Sequence, residues 1–255
     1  MKFNWTDLLG IPVALLLLGA SVGAACHGVV YLPTENDAIV FAAFVSGTLA
    51  LYNVLTLLYL RLLNAVIPAR AGEYDMEAGQ FNLWKHGDVV RMLGTSFLSW
   101  LCPGFCRVLF HKLCGVHAGK GVVIAPGAQI LDPTMTRIGA HVVVGRNAMI
   151  TAHAIANGRF SLHPITIRTG ATVGVNVVLM PGTDVGEDAV VASGAVVPMR
   201  TRIPAGEIWG GIPARPLRKT KIGVSFHETD NETAQRALRR AATTNKEAKP
   251  CYPNF

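Results

Sequence analysis

From Ile167 to Ile203 an aliphatic residue stands at every sixth position: Ile167, Val173, Leu179, Val185, Val191, Val197 and Ile203. Six matches neither the helical period of about 3.6 nor the strand period of 2. The same beat occurs earlier at Ala118, Ile124 and Ile130, slips by two residues, and resumes at Ile138, Val144 and Ile150. An interruption over residues 154–166 separates the two runs. A fixed hexapeptide period marks a β-helix, a solenoid that buries its apolar rows by stacking coil on coil. The physical reading is a triangular coil whose sides are short strands. One apolar side chain per side points to the axis, and a small or polar residue turns each corner. Gly139, Gly145, Gly174 and Gly186 directly follow inward residues, where the pattern predicts close backbone approach and unusual φ.

The other strong constraint lies near the start. Residues 8–32 carry no acid, lysine or arginine, and neither do residues 38–60. Each run exceeds the roughly 20 residues that a helix needs to cross a bilayer. A cleaved signal peptide is the alternative for the first run, but its apolar core spans only about 7–15 residues. The second run follows at once after the short acidic joint PTEND, which favours a transmembrane helical hairpin. Lys2 precedes it, Arg61 and Arg70 follow it, and the joint has no basic residue, so both termini are expected in the cytoplasm. The formal charge of +7 suits a body lying on an anionic inner leaflet, or a pocket for an anionic ligand. No basic run alternates with aromatics, so nucleic acid is not an expected partner. The five cysteines include CPGFC at 102–106 with no second zinc-finger pair, and read as reduced thiols.

These signals divide the chain into four parts. Residues 1–70 form a two-helix transmembrane anchor, and 71–117 an interfacial, amphipathic connector. The β-helix covers 118–219, and 220–255 hold a short C-terminal helix and a mobile tail. In the connector, AGEYDMEAGQFNLWKHGDVV brings Tyr74, Phe81 and Trp84 to the membrane surface. Residues 92–116 are long enough for a third span. Pro103 interrupts them, and Arg107, His111 and Lys112 occupy the second half, which favours an interfacial helix pair.

The repeats, together with GGIPARPLRK at 210–219, resemble the hexapeptide-repeat acyltransferases. The front half is more loosely similar to membrane-anchored members, including the terminal domains of poly-amino-acid synthetases. The resemblance implies a left-handed parallel β-helix, against the usual right-handed crossover. It also implies a homotrimer that uses acetyl-CoA or another acyl-CoA as cosubstrate, with no metal. A histidine at the start of the interruption is the general base in that family, and His153 in ITAHAIANGRFSLHP matches it; the alternative is a corner histidine hydrogen-bonded to a neighbouring coil. The residue type suits the chemistry, because imidazole with a pKa near 6.5 is both neutral and basic at cytoplasmic pH. No Ser–His–Asp or Cys–His arrangement is evident, so direct transfer is favoured over an acyl-enzyme.

Around His153, Asn157 and Arg159 are candidates for touching the acceptor, and His163 for lining the acceptor pocket or orienting His153. The alternatives are a loop packed on the next subunit and a surface histidine. His141 reads as an outward residue near a subunit boundary. By the same resemblance Gly174 and Val175 border the pantetheine and thioester. Ser193, Gly194 and Ala195 leave room for the narrow arm. Arg200, Arg215 and Lys219, with Arg218, meet the phosphates, the alternative being a basic rim facing lipid headgroups. Pro198 and Met199 stand where family members often have Thr-Lys, which removes two expected contacts.

The expected function is therefore an inner-membrane, multi-pass acyltransferase with its catalytic domain in the cytoplasm. The anchor points to a lipid-linked or amphipathic acceptor and to membrane lipids as partners. Two other readings stay open. A γ-type carbonic anhydrase is also a β-helix, but it needs three metal-binding histidines, two of them close in sequence, whereas His141, His153 and His163 are ten or more apart. A non-catalytic trimeric membrane scaffold is the third.

Overall fold

The computed structural model describes residues 10–33, 36–101 and 106–219, without the side chains of 96–101 and 218–219. Pro103 and the C-terminal segment 220–255, with its expected helix and tail, lie outside the described residues. Helix α1 spans Gly10–Val29 and α2 spans Asp37–Val66. Asn36 caps α2, its side chain accepting from the Ala38 and Ile39 N–H groups and satisfying two of the donors that a helix start leaves open. Both helices are long and apolar enough to cross a membrane, although core helices of soluble proteins can be so too. Large apolar side chains face outward on them, with Leu16 73% and Phe41 67% exposed.

Helix α3, Gly79–Leu101, packs against both α1 and α2. Gly94 permits the closest approach, since a Cβ there would overlap the side chain of Thr56. The Tyr59 hydroxyl and His86 Nε2 form a 2.6 Å hydrogen bond between α2 and α3. The short helix α4, Arg107–Cys114, ends at Gly115 in the left-handed conformation and leads directly into the first coil. Arg61 of α2 donates to the carbonyls of Lys112 and Leu113 at that helix end.

The coil is a parallel β-helix with three strand ladders. Inward residues stack as Ala118, Ile138, Ile167, Val185 and Ile203 on one side. The second side stacks Ile124, Val144, Val173, Val191 and Trp209, and the third Ile130, Ile150, Leu179 and Val197. Residues on the later part of one side recur every eighteen positions, three sextets per turn. Most of these side chains are fully buried. Each such aliphatic residue contributes about 1.5–3 kcal/mol, so the row is the principal source of coil stability.

The glycine expectation is half corrected. Gly139, Gly145, Gly174 and Gly186 do meet the next coil closely: a Cβ on Gly174 would lie 2.6 Å from the Ser193 nitrogen. Positive φ falls elsewhere, at corner residues such as Asn176, Gly182, Asp188, Gly194, Arg200 and Gly206, again every sixth position. The corner and the inter-coil contact are thus separate demands on separate residues.

Candidate active site

The interruption folds as a β-hairpin, with strands His153–Ala156 and Arg159–Leu162. Asn157 and Gly158 form its turn, both at positive φ. Asn-Gly between two strands is a strong hairpin signal that the repeat-based reading passed over. A third strand, Gly72–Asp75, pairs antiparallel with Arg159–Leu162. The connector segment thus packs on the coil and gives its aromatic side chains to the core. Phe81 is buried in the main core, and Tyr74 and Trp84 pack against it.

His153 sits at the base of this hairpin with its side chain 19% exposed. Its Nδ1 lies 2.7 Å from Asp132 Oδ2. The same oxygen accepts the Ala152 backbone N–H at 2.8 Å, and Oδ1 accepts Trp84 Nε1–H at 2.7 Å. The Trp84 ring also packs against the imidazole, with centroids 4.4 Å apart, and Phe160 contacts both rings. Burial pushes the Asp132 pKa up, but hydrogen bonds and charge from His153, with the Trp84 and Ala152 donors, hold it below the usual carboxylate value. A carboxylate on Nδ1 makes that nitrogen the N–H donor and leaves the lone pair on Nε2.

Asp132 is the residue that sequence reasoning missed. It lies inside the two-residue slip of the rhythm, where Pro133–Met135 make a 3₁₀ turn. Ile130 and Ile150 stack as register partners, so Asp132 and Ala152 occupy equivalent places on adjacent coils. A break in the beat carrying a lone acid, one coil before the histidine, was the available signal.

The other predicted residues divide between two edges of the coil. On the His153 edge, His163 Nε2 accepts from Arg200 Nη2 at 2.9 Å, and Arg200 also pairs with Glu73. Burial and then Arg200 lower the His163 pKa, against an opposing effect of Glu73. Arg159 lies 3.8 Å from Glu73, with a mostly exposed side chain, and Asn157 is at the exposed turn. On the other edge the Val175 N–H donates to Ser193 Oγ at 3.2 Å, and the Gly194 N–H to the Val175 carbonyl at 2.8 Å. Val175 and Arg215 are exposed there, while the Ala195 side chain is fully buried and faces the core. Arg200 therefore keeps company with His163 and Glu73, away from Val175, Ser193 and Gly194. His141 has its ring beside Gly121.

No family model matches the chain. Two kinds of protein are among its sequence relatives. One is the mitochondrial γ carbonic anhydrase 1 of Arabidopsis thaliana, 39% identical in an alignment of 127 residues that covers 41% of this chain and 44% of that protein. The other is the galactoside O-acetyltransferase of Escherichia coli strain K12, 28% identical over 128 residues, 48% of this chain and 61% of that protein. The chain spans about half the length of these curated relatives. Among solved structures, it is similar to a hexapeptide-repeat-containing acetyltransferase of Vibrio cholerae in complex with acetyl-coenzyme A. That match has 20% identity and a TM-score of 0.47, over 58% of this chain and 93% of the other.

Proposed function

We propose that the chain is a membrane-anchored acyltransferase moving an acetyl or other acyl group from acyl-CoA to a hydroxyl or amine of a membrane-associated acceptor. The observation that carries this reading is the His153–Asp132 hydrogen bond on one edge of a rigid coil. With Nδ1 held by the carboxylate, Nε2 takes the acceptor's proton as its oxygen or nitrogen bonds to the thioester carbonyl carbon. The tetrahedral intermediate then breaks its C–S bond, and the imidazolium returns the proton to the departing thiolate. Asp132 stabilises the imidazolium while it exists.

The edge bearing His153 and the edge bearing Val175, Ser193, Gly194 and Arg215 are separate within one chain. A site using both needs a second copy, which supports a trimer of left-handed coils with the acyl-CoA lodged between neighbours. Asn157, Arg159, His163 and Arg200 then belong to the acceptor side, and Arg215 with Lys219 to the phosphates. Two apolar helices support the membrane anchor and, through it, a lipid-linked or amphipathic acceptor. Equal activity on soluble acceptors with and without residues 1–70 would count against that acceptor class.

Release of free thiol from acetyl-CoA in the presence of candidate acceptors tests the central reading. His153→Ala should lower turnover by about 10²–10⁴-fold with the coil still folded; near-normal turnover refutes the base. The second reading, a γ carbonic anhydrase, is favoured by the name of the Arabidopsis relative. Stoichiometric zinc in the purified protein together with CO₂ hydration would establish it in place of acyl transfer.

A further inference from the structure

A cavity of about 600 Å³ lies where α3 and α4 meet the first coil, and acyl transfer makes no use of it. Arg91, Arg107, His111, Phe110 and Gln129 are among its lining residues. Arg107 is 8% exposed, yet its Nε–H has no hydrogen-bond partner among the described residues. A buried donor without an acceptor is costly, and more so on a cation. Asp88 is the single acid lining the cavity among the described residues, and Arg91 already pairs with it. Among the described residues the lining therefore carries one more cation than acid.

His111 is 6% exposed, and its pKa is pushed down to about 4 by burial, then by Arg107 and Arg91. Both guanidiniums therefore stand within Coulombic reach of a neutral imidazole. Burial raises the Cys114 thiol to about 11, so it adds no negative charge. Exposed apolar side chains, Leu93 on α3 with Leu109 and Leu113 on α4, belong to the same two helices.

We propose that this cavity binds a phosphate group, held by Arg107 and Arg91 as charge-assisted donors with His111 beside them. A monoanionic phosphodiester matches the one-charge excess of the described lining. Two sources present that chemistry: the headgroup of a phospholipid and a soluble phosphate ester. The exposed leucines would lie along the chains of the former. The inference does not depend on acyl transfer and stands whether or not His153 is a base.

The test uses the full chain in detergent, stripped of lipid, with thermal unfolding as the readout. The probes are inorganic phosphate, glycerol phosphate, and micelles doped with phosphatidylglycerol. A ligand that binds only the folded state should raise the midpoint by several degrees. Arg107→Met should abolish the rise while leaving the ligand-free midpoint unchanged or higher, because it removes a buried cation whose Nε–H has no acceptor among the described residues. Arg107→Lys should keep part of the rise, and His153→Ala all of it. A rise with lipid alone assigns the headgroup; an equal rise with the soluble probes assigns a soluble ester. No rise with any probe overturns the proposal. So does an undiminished rise in Arg107→Met, or a ligand-free midpoint well below that of the parent.

Discussion

His153 Nδ1 and Asp132 Oδ2 stand 2.7 Å apart across two adjacent coils, held from positions just beyond the stacked pair Ile150 and Ile130. Each residue follows closely on a stacked rung, so the coil sets where the two backbones stand. Trp84 closes the arrangement from α3 by donating to the second carboxylate oxygen. Among the described residues the imidazole has Asp132 on Nδ1 and no hydrogen bond to Nε2.

Replacing Asp132 with Asn keeps the shape and removes the charge and the fixed tautomer. Turnover of acyl-CoA should fall by about 10²–10⁴-fold with the donor KM little changed. Trp84→Phe should cost less, roughly tenfold, the worth of one charge-assisted hydrogen bond of about 1.5 kcal/mol. Steady-state kinetics with matched thermal midpoints check both, and an Asn variant within a few-fold of the parent would remove Asp132 from the mechanism.

Acid should destabilise the protein in two windows. His111 is neutral in the fold down to about pH 4, whereas an unfolded histidine takes its proton near pH 6.5. The unfolded state binds more protons between those values, so stability is lost as pH falls through that window, by up to about 3 kcal/mol. Asp132 acts below it: its lowered pKa contributes stability that is present above the unfolded value near 3.9 and is lost on further acidification. Unfolding midpoints from pH 7 to 4 should fall less steeply in His111→Leu, with Arg91, Arg107 and Asp88 still around the site. Parallel slopes would show that His111 does not titrate as described.

Two glycines on the edge opposite His153 should separate folding from binding. Gly174→Ala drives a Cβ to 2.6 Å from the Ser193 nitrogen and should cost about 1–3 kcal/mol of stability. Gly194→Ala meets no atom within 4 Å but sits at φ +74°, so it should cost about 1–2 kcal/mol through strain alone. If that edge holds acyl-CoA, Gly194→Ala should also raise the donor KM. Denaturant titration and donor saturation curves measured on the same preparations decide this.

Arg200 lies with His163 and Glu73 on the His153 edge. Arg200→Ala should therefore change the KM for the acceptor several-fold and leave that for acyl-CoA near the parental value. The reverse pattern would return Arg200 to the phosphates.

Much of the coil was legible because its inward row is a one-dimensional code. Every sixth residue from Ile167 to Ile203 must be apolar for stacked sextets to bury it, and each is found buried in its ladder. The two apolar helices were equally plain, because length and the lack of charge are local properties. The hairpin was readable but passed over, in the two residues Asn157 and Gly158 whose positive φ makes the turn.

What the sequence by itself determined was the repeat, its interruption, the apolar helices and the position of His153, all features that recur or concentrate along the chain. Tertiary structure alone decided the partners of that histidine. Asp132 comes from the preceding coil, Trp84 from a helix 48 residues before Asp132, and Glu73 reaches Arg200 across 127 residues. Hydrogen bonds join atoms by distance in space, and no periodicity along the chain records which distant polar groups the stacking brings within 3 Å.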